Sequence, residues 1–302
     1  MTSSSKRSVL ITGCSAGSAG HALALEFAKQ GLRVFATARS TKSLSQLEAK
    51  GIEVLPLEVT SAESIATLKT EVSKRSGGKL DMLFNNAGMM YEAPAIEADR
   101  ESVRRMFDAN VFGLFDMVTA FVPLLLASVP NSQAPPTIVN TSSVLGRLPF
   151  PFAASYNASK AAVASYSDTL RIELAPLGIK VVTLFMGEVS TGLMSADNIS
   201  FGRDSPYTDV EGGVQERSRQ HSQNSMKAEE FARQVVNEII SKSAAGKGLF
   251  LWKGTNASLV WFLNAVGWRT VFDGTMMSGV GLDKREIKKA IFDKAQQWAK
   301  RD

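Results

Sequence analysis

Short apolar runs alternate with segments of helical period along this chain, and that order leaves few folds open. The runs at 8–12, 33–38, 54–57, 80–85, 138–142 and 179–186 read as strands, rich in Val, Ile, Leu and Phe. Segments 22–30, 61–73, 101–119 (running on toward 126) and 156–174 repeat apolar residues at helical spacing. Gly31 closes the first helix, and Ser61 is the expected N-cap of the second, with Ser64 the alternative. The alternation predicts an α/β fold, a doubly wound parallel sheet with helices on both faces. Ligands of such sheets bind outside the carboxyl ends of the strands. Thr12, Ala38, Asn85, Ser142 and Met186 stand at predicted strand ends and should line one crevice.

Composition narrows the class. With 302 residues, 44% of them hydrophobic, the chain can bury a sizeable core. The expected organisation is one nucleotide-binding catalytic domain over 1–250, including a polar segment at 187–226, and an apolar and basic C-terminal extension over 251–302. Segment 187–226 lacks clear periodicity and is too long for a plain connection, which predicts a loop that is functional or disordered. The single Cys14 excludes an internal disulfide, as expected of a reducing compartment. One cysteine with two histidines, His21 and His221, excludes a Cys/His zinc cluster, and no metal is expected. The start of the chain is short and polar, so no leader is expected, and no apolar run is read as membrane-spanning. A cytoplasmic protein is the expectation, with membrane or lipid-droplet association as its variant. The net charge of +5 is uneven: 283–302 holds seven Lys/Arg against four Asp/Glu. That tail reads as a solvated helix or as one drawn to an anionic membrane surface. No nucleic-acid motif accompanies it.

Three constellations carry chemistry. Thr12-Gly13-Cys14-Ser15-Ala16-Gly17-Ser18-Ala19-Gly20 joins the first strand to the first helix. Glycines there let backbone approach a pyrophosphate, and the helix N-terminus offers N–H donors and a positive dipole. The second strand then ends in Arg39, and the only acid between Gly13 and Arg39 is Glu26 in mid-helix. A guanidinium at that point suits a ribose 2′-phosphate, whereas an acid would suit a 2′-hydroxyl; this favours NADPH over NADH. Finally, Tyr156 and Lys160 are one helical turn apart and share a face. A lysine cation beside a phenol lowers the phenol pKa and readies it for proton transfer. Ser143 lies thirteen residues upstream, at the end of a predicted strand.

Those motifs, with Asn85-Asn86-Ala87-Gly88 and Asn110, fall in one order over roughly 8–192. In them the chain resembles the short-chain dehydrogenase/reductase family, of the NADPH-preferring type. Thr12-Gly13-Cys14-Ser15, Phe35 to Arg39, and Gly187-Glu188-Val189 make it similar to fungal 1-acyldihydroxyacetone-phosphate reductases and related fungal reductases. The resemblance implies a Rossmann-type fold and NADPH as cofactor. It implies that Gly13, Ser15, Gly17, Ser18 and Ala19 surround the pyrophosphate, that Glu58 lies near the adenine, and that Asn86, Ala87 and Gly88 flank the ribose side. Val189 and Thr191 would contact the nicotinamide amide and the phosphates. Asn110 would hold a proton-relay water, Ser143 would bond the substrate carbonyl, Tyr156 would supply the proton, and Lys160 would hold the ribose and lower the tyrosine pKa. The implied reaction is reduction of a ketone, lipid-like or of secondary-metabolite type, to a secondary alcohol. The alternative is a non-redox isomerase or cyclase, or an NADPH-binding module. Family analogy also implies a homodimer or homotetramer. Three departures from the family pattern are Ser18-Ala19 within the glycine loop, Glu58 in place of Asp, and Met186 in place of Pro.

Substrate choice is expected in 145–152, in 89–93 and after Gly187. Leu145, Leu148, Phe150, Pro151 and Phe152 read equally as an apolar substrate wall or as packing against a loop or a partner subunit. Segment 254–282 is apolar and aromatic but too interrupted to span a bilayer. It reads as a core or dimer helix, as a membrane-interface segment, or as a substrate lid.

Overall fold

The computed structural model describes residues 6–131, 134–242, 244 and 246–300. Residues 1–5 of the expected polar start and 301–302 of the basic tail lie outside the described residues. The first half runs β1 (Ser8–Ile11), α1 (Ala19–Lys29), β2 (Arg33–Ala38), α2 (Ser45–Glu48), β3 (Glu53–Pro56), α3 (Ala62–Ser76), β4 (Met82–Asn85), α4 (Arg100–Phe107), α5 (Gly113–Ser128) and β5 (Thr137–Ser143). The second half runs α6 (Ala154–Leu174), β6 (Lys180–Met186), β7 (Val189–Ser190), α7 (Thr208–Asn224), β8 (Met226–Lys227), α8 (Ala228–Ser241), β9 (Phe250–Lys253), α9 (Ala257–Val266), α10 (Asp273–Ser278) and α11 (Arg285–Trp298).

Seven strands form one parallel sheet in the order β3-β2-β1-β4-β5-β6-β9. The chain reverses direction across the sheet between β1 and β4, and such a switch point opens a crevice at the strand carboxyl ends. The strands are buried on both faces because helices cover both. On one face Val9 and Ile11 meet Leu23 and Phe27 of α1 and Phe231, Val235 and Ile239 of α8. On the other, Leu10, Leu83, Ile138 and Val181 meet α3, α5 and α6 through Leu68, Phe121 and Val163. Fully burying such a side chain contributes about 1.5–3 kcal/mol.

Local signals set the element ends. Ser61 caps α3, its Oγ accepting from the Ser64 amide at 3.2 Å. Ser64 serves a different donor, accepting from the Glu58 amide at 2.9 Å. Lys160 and Tyr156 sit on α6, which begins two residues earlier than the periodicity indicates.

Three regions differ from the sequence expectation. The sheet has a seventh strand, β9, so the expected boundary at 250/251 falls inside a strand. The expected loop over 187–226 contains a seventeen-residue helix, α7. Its Val210 and Val214 pack against Phe152, Phe201 and Val280. The continuous helical run Arg100–Ser128 is long and apolar enough to cross a bilayer by length and composition. Here its inner face, including Leu114, Met117, Phe121 and Leu125, is buried against the sheet. A π-helical turn at Asp108–Phe112 interrupts the run, and such turns concentrate at functional sites.

The carboxyl edge is drawn tight by glycines. A Cβ on Gly20 would lie 2.3 Å from the Gly13 carbonyl oxygen and 2.6 Å from Asn86 Nδ2. Gly20→Ala should therefore cost about 1–3 kcal/mol, read as a lowered Tm in thermal unfolding; an unchanged Tm would contradict the close packing described.

Candidate active site

The left half of the crevice is a cradle built on Thr12. Its Oγ1 accepts from the Asn86 and Ala87 amides, each at 2.9 Å. Asn86 Nδ2 donates back to the Thr12 and Gly13 carbonyls at 2.9 and 3.2 Å. Asn86 therefore joins the ends of β1 and β4 through its own side chain. Gly13 and Gly17 hold φ of 76° and 75°, a left-handed conformation that glycine adopts without strain. A Cβ at Gly17 would meet nothing within 4 Å, so open space lies over the loop at the start of α1. Ser18 is the N-cap of α1: Oγ accepts from the His21 amide at 3.1 Å and donates to the Gly13 carbonyl at 3.0 Å. Its hydroxyl is thus held within the loop. Ala19, at the first position of α1, is buried. Ser15 accepts from Ser43 Oγ at 3.3 Å, and the Ala16 amide donates to the Ser43 carbonyl, tying the glycine loop to the turn after β2. Arg39 is exposed at the end of β2, and Glu26 lies apart on α1, paired with Lys29 at 3.7 Å. Cys14 is buried, its thiol pushed up to about 12 by burial, which leaves it un-ionised and inert. Glu58 turns back on its own loop, accepting from the Thr60 amide and hydroxyl at 3.2 and 3.0 Å.

The right half rests on the β5–α6 junction. Ser142 Oγ donates to the Lys160 carbonyl at 2.8 Å. A Cβ on Gly146 would come within 3.0 Å of the Ala161 nitrogen and Lys160 carbonyl carbon, so α6 lies hard against the turn after β5. Ser143, Tyr156 and Lys160 are all buried there. Ser143 Oγ donates to the Met186 carbonyl at 3.3 Å and accepts from the Leu145 amide at 3.1 Å. Lys160 Nζ donates to the Thr141 carbonyl at 2.9 Å and stands 5.8 Å from the Tyr156 ring centroid. Beneath them a polar ladder crosses the core: Asn85 Nδ2 to Asn140 Oδ1 at 2.9 Å, then Asn140 Nδ2 to Ser167 Oγ at 3.0 Å. This ladder is fixed by fold contacts that local sequence does not signal.

Burial governs both ionisable groups, a correction to the expected lysine effect. The Tyr156 phenol is pushed up to about 12, chiefly by burial; the Ser143 hydroxyl pulls it down and the Glu92 charge adds to the rise. Burial alone pushes the Lys160 ammonium down to about 8. Loss of water around each group is the largest cause of its shift.

Asn110 sits in the π-helical turn. Its Oδ1 accepts from the Met89 amide at 2.8 Å, and its Nδ2 donates to the Met89 carbonyl at 2.9 Å and to Ser159 Oγ at 3.1 Å. Both amide hydrogens are thus bonded to protein atoms. Gly88 lies beside this group: a Cβ there would be 3.1 Å from Asn110 Oδ1 and 3.6 Å from Lys160 Nζ. On the far rim, Val189 is buried and paired in register with Met226, while Thr191 Oγ1 accepts from the Leu193 amide at 3.4 Å. Glu188 anchors that rim to His221 Nδ1 at 3.4 Å and to Asn256 Nδ2 at 2.8 Å.

The structure adds a charged pair on the substrate side. Arg217 of α7 reaches Glu92 at 2.6 Å, donates to the Pro151 carbonyl at 3.2 Å, and stacks 3.8 Å from the Phe150 ring centroid. Phe150 in turn packs in the cluster that holds Tyr156. Phe152 holds φ at 69°, a strained value for a bulky residue, and its carbonyl accepts from the Ala93 amide at 2.8 Å. The expected wall is therefore divided: Leu145 and Phe150 pack near Tyr156, whereas Phe152 packs against Phe201 and Tyr207 beside α7.

Comparison with known proteins agrees with this geometry. Residues 7–200 match the model of a family described as short chain dehydrogenase. The short-chain dehydrogenase virD of Hypocrea virens is 39% identical over 267 residues, 87% of this chain and 89% of that protein. The NADPH-dependent 1-acyldihydroxyacetone phosphate reductase of Schizosaccharomyces pombe is 45% identical over 187 residues, 62% of this chain and 61% of that protein. A crystal structure of a short-chain dehydrogenase from Streptomyces avermitilis superposes with a TM-score of 0.75 at 27% identity, over 93% of this chain and all of that one.

The charge of Glu92 acts on Tyr156 through space, so Glu92→Gln should lower the tyrosine ionisation midpoint. The check is a pH titration of the ζ-carbon-labelled tyrosine by NMR; a midpoint that stays or rises contradicts the coupling.

Proposed function

The chain belongs to the short-chain dehydrogenase family, and we propose that it reduces a ketone to a secondary alcohol with NADPH. The observation that carries this reading is the set of buried hydroxyls, Ser143 and Tyr156, with Lys160 one turn away, at the same strand edge as the glycine cradle. Such a set can hold a carbonyl oxygen and protonate it. Support for a nucleotide comes from the open space over Gly17 and the N-terminus of α1. Support for a 2′-phosphate comes from exposed Arg39 at the end of β2, with no acid at that strand end. The name of the Schizosaccharomyces pombe relative points the same way.

Bound NADPH supplies the hydride. Negative charge then develops on the substrate oxygen, and the protein answers it. Ser143 donates a hydrogen bond to that oxygen, giving up its bond to the Met186 carbonyl. Tyr156 supplies the proton. A phenol pushed up to about 12 remains protonated at neutral pH, which suits a proton donor in the reductive direction. Lys160 supplies positive charge to the tyrosinate left behind, and it would hold the cofactor ribose on giving up its bond to the Thr141 carbonyl. The amide of Asn110 braces the Met89 loop and Ser159, so any proton relay there uses groups other than its two N–H. Gly13, Ser15, Gly17, Ser18 and Ala19 would hold the pyrophosphate; Glu58, Asn86, Ala87 and Gly88 would line the adenosine side, and Val189 with Thr191 the nicotinamide rim. The substrate faces Leu145, Phe150 and Met90, an apolar wall near Tyr156 that suits a lipid-like or polyketide-like ketone.

Tyr156→Phe should keep NADPH binding, followed by cofactor fluorescence, and lose about 10²–10⁴-fold in kcat/KM; near-normal turnover would refute the proton role. Arg39→Asp should lower the NADPH-to-NADH ratio of kcat/KM by about tenfold or more. An unchanged ratio would count against the 2′-phosphate assignment.

A further inference from the structure

We propose that the outer face of α9 and the turn after it form a docking surface for an anionic phospholipid bilayer. The helix has two faces. Its inner face, through Ala257, Val260 and Leu263, packs on Val144, Leu148 and Phe150. Its outer face presents Leu259, Trp261, Phe262 and Val266, with Trp268 just beyond, each more than half exposed to solvent. Isolated exposed apolar residues are ordinary, but five on one short helix and its turn form a patch that marks an interaction site. The surface continues toward the sheet edge as a cleft of about 260 Å³ lined by Trp261, Trp252, Phe250, Phe185 and Arg147.

Charge identifies the occupant. From Glu238 to Phe272 the chain carries Lys242, Lys247, Lys253 and Arg269 against the single carboxylate Glu238. Glu238 holds both Lys242 and Lys253, at 2.6 Å each. Lys247 and Arg269 are exposed, and no carboxylate follows until Asp273. Helix α11, which packs on α7, carries exposed Arg285, Lys288 and Lys289 against exposed Glu286 and Asp293, so the positive charge assigned to the docking surface is that of the segment around α9. A second copy of the chain is a poor match, because a two-fold contact sets each patch against itself and brings like cations together. An anionic bilayer meets the same patch with opposite charge. Tryptophan and phenylalanine are the side chains that settle at the headgroup boundary, and nearby Lys and Arg add attraction to acidic lipid. A ten-residue helix is about 15 Å long, half the hydrocarbon thickness, so α9 lies in the interface plane. On the reductase reading, this would bring the apolar wall of the substrate site close to lipid; the docking itself does not depend on that reading.

The test is flotation of the full chain with vesicles of phosphatidylcholine alone or with phosphatidylserine added, without cofactor or substrate. Capture should be about tenfold greater with phosphatidylserine and should fall as salt is raised. The intrinsic tryptophan emission should shift to the blue on binding. The triple variant Trp261→Ser, Phe262→Ser, Trp268→Ser should lose capture while its sedimentation coefficient and circular dichroism stay those of the wild type. Absence of capture and of the emission shift in the wild type would overturn the proposal, as would undiminished capture of the variant. A wild-type dimer that the variant splits would assign the patch to a second copy and overturn it equally.

Discussion

One hydrogen bond at the β5–α6 junction fixes the chemistry of this protein. Ser142 Oγ bonds the carbonyl of Lys160, and Gly146 lets the helix come close enough for it to do so. The bond pins the second turn of α6 to the end of β5. Ser143, next in the strand, and Tyr156, one turn back along the helix, then have no freedom in their relative placement. The Asn85–Asn140–Ser167 ladder stiffens the same junction from below. The ladder is not fully paired: Asn85 Oδ1 is buried without a hydrogen-bond partner, and such an orphaned group costs about 1–3 kcal/mol.

The opposite wall uses the same device. Thr12 and Asn86 exchange hydrogen bonds across the switch point, and Gly13 and Gly20 remove the side chains that would hold β1, α1 and β4 apart. The crevice is therefore bounded by two rigid joints. The substrate side is built differently. There Arg217 of α7 reaches across to Glu92 and Phe150, and strained Phe152 hands its carbonyl to Ala93. Burial disfavours both charges of the pair, which makes the pair weak evidence for stability. It does fix where α7 sits relative to Tyr156.

Much of this was legible in the sequence, for physical reasons. Strands buried on both faces are continuous apolar runs, so six of the seven sheet strands stand out. The seventh, Phe250–Lys253, is short, ends in a lysine and pairs with a neighbouring strand, β6, on one side only. Helix α7 is polar and carries Gly212 and Gly213, which erase the periodicity. Gly213 is explained only by tertiary contact, since a Cβ there would lie 3.0 Å from the Val280 carbonyl oxygen. The Glu92–Arg217 pair joins residues 125 positions apart, and nothing local announces it. The tyrosine and lysine were visible from spacing, but the direction of their pKa shifts was not. Spacing reveals that two groups are neighbours; only the fold reveals that both have lost their water.

The central claim is that Tyr156 is a buried acid that stays protonated until the substrate oxygen needs it. The most direct test is the pH dependence of kcat/KM for NADPH-driven reduction of a ketone substrate. A profile flat between about pH 6 and 7 that falls on the alkaline side, through about 8 where Lys160 loses its proton, is the expected result. A rate that climbs with rising pH, as some group loses its proton, would contradict the account.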